Sequence, residues 1–148
     1  MRIGDVMTGD VVTAPRDATY ANVAGLMRDR NVGSVVICDG NRPHGLVTDR
    51  DVALAIGTGA AERSDEVAAS TTRPLVTGDP DMDIEEAAAL MVQHRIRRLP
   101  VVAGGELTGI VTLDDLAVRV GDLNLAHQMT ADVARAALPE FYFHQRGE

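Results

Sequence analysis

The sequence has no lysine and no tryptophan, and all 14 of its basic residues are arginine. Any phosphate must therefore be met by a small set of guanidinium forks. Cysteine is nearly absent too. The single Cys38 rules out an intramolecular disulfide framework and a cysteine-rich zinc site, and on its apolar stretch it reads as a buried small hydrophobe. No apolar run approaches the roughly 18 residues of a membrane span, and the opening MRIGDVMTGD lacks the apolar core of a signal peptide. The expectation is a cytoplasmic protein with no membrane partner. A formal net charge of −8 argues against nucleic acid as a partner held by broad electrostatics. Recognised catalytic signatures are missing as well. There is no Gly-Lys-Ser or Gly-Lys-Thr phosphate loop and no nucleophile elbow, and His44, His94, His127 and His144 lack metal-ligand spacing.

What remains is an ordinary globular composition, 45% hydrophobic and 24% charged over 148 residues, enough for one domain or two small ones. The Ala-rich, Arg-only usage is read as codon bias of a GC-rich bacterial genome. The organisation is plainer than the composition. Sliding the chain over itself by 64 residues aligns 11–56 with 75–120 without a gap, and twelve positions are identical, among them Thr13 and Thr77, Met27 and Met91, Gly45 and Gly109, Thr48 and Thr112, and Asp51 and Asp115. Such agreement implies an internal duplication. The expected domains are 1–60 and 61–121, followed by 122–148 as a C-terminal helix and tail holding Phe141, Tyr142 and Phe143.

Each copy reads as strand, helix, strand, turn, strand, helix. In the first, Val11-Val12-Thr13 is a short strand and Thr19 caps a helix carrying Val23, Leu26 and Met27. In the second, Asp83 with Glu86 three residues on spells a capping box, and Ile84, Ala87, Ala88 and Met91 form the apolar stripe behind it. SVVIC (34–38) and LPVVA (99–103) each lead through a Gly-containing turn into a strand ending at Thr48 or Thr112. The closing helices carry Val52, Ala53 and Ile56, or Leu116, Ala117 and Val120, inward. Between the copies GTGAAERSDE is a polar connector, with a short helix starting near Ser64.

Chemistry concentrates in GLVTDRD (45–51) and GIVTLDD (109–115). Each ends a strand on Thr and sets an Asp three residues further on, inside the first turn of a helix. One reading is a capping box; Asp is shorter than the usual Glu or Gln for reaching back to the cap amide. The other is a ligand site in which the helix start offers amides and a hydroxyl to a phosphate and the carboxylate accepts ribose hydroxyls. The glycine at the strand start permits close backbone approach.

These segments, together with RIRRLPVV (95–102) and VTAPRDATYANVAGLM (12–27), resemble a tandem pair of CBS domains, the regulatory modules named after cystathionine beta-synthase. The resemblance covers about 5–120. It implies an α+β fold, two β-α-β-β-α units packed about a pseudo-two-fold axis, with two clefts for adenosine-containing ligands. By that resemblance Asp51 and Asp115 hold ribose, Thr48 and Thr112 face phosphate, and the main chain at Val12-Thr13 and Val76-Thr77 meets adenine. Arg97 and Arg98 become phosphate candidates; the alternative is that they solvate a strand entrance and pair with the acidic run at 79–86. The copies differ here, since Asn31, Gly33 and Ser34 stand where Arg95, Arg97 and Arg98 do. The family's usual Leu-Pro-Val is SVVI in the first copy, so one cleft is a candidate for degeneracy. The expected function is a non-catalytic sensor of an adenine nucleotide, AMP or ATP, with no required cofactor, acting as a homodimer and passing its state to an unknown protein partner. A ligand-free dimeric interaction module with vestigial clefts is the alternative. A small enzyme using Asp51 or Asp115 as a base is a third reading.

Overall fold

The computed structural model describes residues 1–71 and 75–120, with side chains to 116. The tail expected at 122–148 lies outside the described residues, as do the side chains of Ala117 and Val120. The order is β1 (Thr13–Pro15), α1 (Tyr20–Arg30), β2 (Ser34–Asp39), β3 (Arg42–Thr48), α2 (Asp49–Gly57), then α3 (Ile84–His94), β4 (Arg98–Ala103), β5 (Glu106–Thr112) and α4 (Leu113–Val120), with 3-10 turns at Ile3–Asp5 and Val67–Ser70. This is the expected mixed α+β alternation, repeated. Both hairpins lie where the sequence puts them, with Gly40 at φ +59° and Gly104 and Gly105 at +61° and +81° in the turns, a backbone region in which glycine is unstrained.

The chain forms two compact units that interleave in sequence: one of Met1–Thr8, Thr77–Val101 and 109–120 among the described residues, the other of Gly9–Val76 and Val102–Thr108. Each repeat therefore takes its lead segment from before the other repeat. Within the first of these units, Ile3 N–H donates to the Met82 carbonyl at 2.8 Å and Ile84 N–H to the Met1 carbonyl at 3.1 Å. Within the other, Val67 N–H donates to the Ala18 carbonyl at 3.0 Å and Tyr20 N–H to the Asp65 carbonyl at 3.0 Å. The two sets coincide under the 64-residue shift. Ile3 and Val67, wholly buried, are the apolar plugs of the two lead segments.

In the unit holding the first repeat, β1 runs parallel to β2, with Thr13 opposite Val36, and β2 runs antiparallel to β3, with Ser34 opposite Thr48. Val23, Met27, Val35, Ile37 and Val47 fill the layer between sheet and α1, with Val67 closing one end. The opposite sheet face buries Val36, Cys38 and Leu46 together with Leu107 from the β4–β5 tip, whose amide donates to the Asn41 carbonyl at 2.9 Å. Cys38 is the buried hydrophobe expected of it, and burial, with help from Asp39, pushes its thiol pKa up.

Three local expectations are corrected. The strand expected at Val11-Val12-Thr13 starts only at Thr13, and its counterpart in the second repeat is a single bridge between Gly78 and Val101. Pro100 is the reason. In the first repeat Val36 N–H donates to the Val12 carbonyl at 3.0 Å, and Pro100, at the position of Val36, has no N–H to give. The Asp83 box does not form either: Asp83 makes no side-chain cap bond, although its backbone is extended as a cap's should be. The box instead belongs to Thr19, whose Oγ1 accepts from Asn22 N–H at 3.1 Å while Asn22 Oδ1 accepts from Thr19 N–H at 3.0 Å. Finally, α2 buries nothing fully. Val52 and Ala55 pack on the core, while Leu54 and Ile56 are exposed and Ala53 faces outward.

Candidate functional site

The mouths of α2 and α4 bring together most of the residues singled out by sequence. At the first, Thr48 Oγ1 accepts the Asp51 amide at 3.2 Å and Asp51 Oδ2 accepts the Thr48 amide at 2.9 Å. At the second, both corresponding bonds, between Thr112 and Asp115, are 3.1 Å. The capping boxes are thus made in both copies. Asp reaches its cap amide despite the shorter side chain. Each box engages one carboxylate oxygen, so Oδ1 of Asp51 and of Asp115 has no hydrogen bond among the described residues. Capping and ligand binding are therefore compatible: the box holds the carboxylate still, half-buried, with an acceptor to spare.

Gly45 and Gly109 have a different role from the one expected. A Cβ on Gly45 would collide with the Thr71 side chain, and one on Gly109 would lie 2.5 Å from Met7 Sδ and 3.0 Å from the Thr8 carbonyl oxygen. The close approach these glycines permit is that of the lead segments.

Around α4 the chain makes a small cup of about 80 Å³, lined by Arg97, Arg98, Thr112, Leu113 and Asp114. The Leu113 amide is occupied by the Arg97 carbonyl at 3.2 Å and the Asp115 amide by Thr112 Oγ1. That leaves the Asp114 amide without an acceptor among the described residues. Arg97 is exposed and Arg98 half-buried, and neither makes a salt bridge among the described residues. The expected alternative, pairing with the acidic run, is not seen there; Asp81 is held by Arg2 at 2.9 Å instead. The α2 mouth differs. Its Asp49 amide is tied to the Gly33 carbonyl at 3.0 Å, and Asp49 Oδ1 itself accepts the Arg50 amide at 2.9 Å.

The remaining sequence candidates fall around these mouths. Thr13 lines a groove of about 540 Å³ with Asp17, Asn22 and Leu26. It stands two strands from Thr48, about 10 Å across the sheet at ordinary strand spacing. The Val12 carbonyl is consumed by Val36, as above, whereas Pro100, at the position of Val36, has no N–H to donate. Val76 ends one compact unit and Thr77 begins the other. The feature that sequence reasoning missed is Asp49. It differs from its counterpart Leu113, which was visible in the alignment, but its bond to Arg50 was not.

A model of the CBS domain matches residues 3–58 and again 66–122. The chain belongs to the CBS-domain family. Among curated relatives it is similar to the CBS domain-containing protein YhcV of Bacillus subtilis, 38% identical over 136 residues, 92% of this chain and 91% of that protein. Among solved structures it is similar to Hypoxic Response Protein I with two coordinated zinc ions, with TM-score 0.73 and 28% identity over 80% of this chain and 98% of that one. The CBS pair of MJ0100, solved with 5'-methylthioadenosine and S-adenosyl-L-methionine, shares the fold at TM-score 0.74 and 23% identity over 82% and 96%. Among the described residues of the present CBS pair, no three His, Cys, Asp or Glu side chains cluster as metal ligands, and no helix is long and apolar enough to cross a membrane.

Proposed function

We propose that this CBS pair is a regulatory module that binds an adenosine nucleotide, AMP or ATP, and makes or breaks no bond in it. The observation that carries the reading is the α4 cup, in which two guanidinium groups without salt-bridge partners among the described residues border a helix start with one open amide. A phosphate there would gain charge-assisted hydrogen bonds from Arg97 and Arg98 and the favourable end of the helix dipole. The Thr112 hydroxyl is adjacent, and the second oxygen of Asp115 is left to accept ribose hydroxyls. Thr13 and Thr77, with the main chain at Val12 and Val76, are the proposed adenine contacts, and Thr48 with Asp51 are their partners in the first copy. A neighbour crystallised with adenosine ligands is in keeping with this choice of nucleoside.

The outward face of α2, with Leu54 at 51% and Ile56 at 40% exposure, supports the further proposal that two copies of the chain pair through it. Sedimentation equilibrium tests that; a monomer at tens of micromolar rejects it. For the ligand, a thermal-shift series with AMP, ADP and ATP is the direct test. A nucleotide at one hundred times its Kd adds about 2.7 kcal/mol to stability. If no adenosine compound moves the midpoint at millimolar concentration and calorimetry agrees, the reading falls and a ligand-free interaction module replaces it.

A further inference from the structure

Within the unit holding the first repeat, a groove of about 840 Å³ runs between α1 and α2. Small residues make its floor: α1 gives Ala21, Ala24 and Gly25, and α2 gives Ala53 and Gly57. Spacings of three and four residues put these positions on one face of each helix, and on α1 that face is opposite to Val23 and Met27, which enter the core. A Cβ added at Gly25 or Gly57 would meet nothing within 4 Å, so the floor is open. Tyr20 also lines the groove, buried, with its hydroxyl bonded to Ser70. The rim is cationic. Arg63 is fixed there by its carbonyl, which accepts the Ala21 amide at 2.9 Å, and its exposed side chain makes no salt bridge among the described residues. Arg28, also on the rim, is already paired with Asp29 at 2.9 Å.

We propose that this groove is the seat of the chain's own aromatic segment, with Phe141 and Phe143 filling the hollow and Glu140 pairing with Arg63. Three observations select that occupant. A hollow floored by alanine and glycine is filled by large side chains, and apart from Tyr20 every aromatic residue of the chain is in Phe141-Tyr142-Phe143, outside the described residues. The two phenylalanines are two residues apart, so an extended segment after Pro139 turns both to one side and Tyr142 to the other. The charge also matches: Glu140 directly precedes the aromatic residues, and Arg63 is the rim cation without a carboxylate. The tether is long enough. Residues 121–140 separate α4 from Phe141, and even wound as a helix 20 residues span about 30 Å, the width of a small domain. Leu54 is not part of the groove and stays on the outward face of α2. The inference goes beyond the nucleotide reading and does not depend on it.

The absence of tryptophan from the sequence supplies the test. In the full chain, Phe143→Trp introduces a single indole whose emission and acrylamide quenching report where that position lies. The expected indole emits at short wavelength, resists quenching, and keeps both properties on dilution, because the contact is within one chain. Gly25→Leu fills the groove with a good helix former at a position where nothing obstructs it. Added to Phe143→Trp, it should shift the emission to that of a solvated indole and raise the quenching constant several-fold, while the far-UV circular dichroism stays that of the parent. Arg63→Glu should do the same, and Glu140→Arg added to Arg63→Glu should restore protection; this charge exchange decides the matter even if Gly25→Leu fails to fold. An indole quenched freely in the otherwise unchanged chain overturns the proposal. So does one whose protection ignores both Gly25→Leu and Arg63→Glu, since the segment is then covered elsewhere. Protection that disappears on dilution also overturns it, and places the segment on a second copy.

Discussion

The first repeat is closed where the second is open. Its β1 is zipped to β2 by the Val36 amide, and its helix mouth carries its own carboxylate in Asp49. The second repeat has Pro100 in place of the donor and Leu113 in place of the carboxylate, and two arginines are added. A duplication that retains both Thr-Asp boxes has thus diverged in the atoms around them. The boxes serve the fold in both copies, since an unfilled helix start costs stability wherever it occurs. Identical motifs therefore identify the scaffold, and the residues that differ between copies set the charge and the free backbone groups that each helix start presents.

The comparison can be broken most forcefully at the glycines. Gly45→Ala drives a Cβ into Thr71, which is buried, so a loss of about 1 to 3 kcal/mol is expected in denaturant unfolding. Gly25→Ala, in α1 with nothing within 4 Å of its added Cβ, should stabilise by about 0.5 to 1 kcal/mol. Equal effects at the two sites would mean that the lead segment does not cross β3 as described.

Next come the caps. Thr48→Ala and Thr112→Ala should each cost about 0.5 to 2 kcal/mol, because each removes the acceptor of an Asp amide in the first turn. A null effect at both would show that the boxes exist for ligand alone.

A smaller change tests the left-handed helix ends, where Asn31 at φ +53° and Arg95 at +56° hold matching positions. Asn tolerates this region and Arg does not, so Arg95→Gly should raise stability by up to about 1 kcal/mol while Asn31→Gly stays within about 0.5. If Arg95→Gly destabilises, the Arg95 side chain makes a contact that outweighs the backbone strain.

Pro100→Val restores the missing donor. In a hydrogen-exchange measurement the residue 100 amide should then be protected to the same degree as the hydrogen-bonded Val36 amide; free exchange at residue 100 alone would show that something besides Pro100 keeps the second strand unzipped.

The smallest expected effect is at Cys38. Its pKa is raised in the folded chain, so the thiol's contribution to stability is complete below the ordinary value of 9.0 and is lost as pH rises above it. A Cys38→Ala variant should lose that alkaline slope, and thiol reagents at neutral pH should react with Cys38 only as fast as the chain opens.

The duplication, the two hairpins, the strands ending at Thr48 and Thr112 and the apolar stripe of α3 were all legible in sequence, because each rests on local periodicity and turn chemistry. So were both Thr-Asp boxes, whose four atoms lie within three residues of one another. The exchange of lead segments was not. Ile3 and Val67 are ordinary apolar residues, and the distant strand that each covers is set by the path of the chain. Asp83 likewise has the right spacing for a cap box and yet makes no side-chain cap bond, while Thr19 at the matching position does. Sequence alone determined the repeating local units and their family, since those depend on neighbours along the chain. Only the tertiary structure decided which glycines are needed for close packing, which strand zips, and which helix mouth is still open to an anion. Those properties depend on which distant backbone donors and acceptors arrive first.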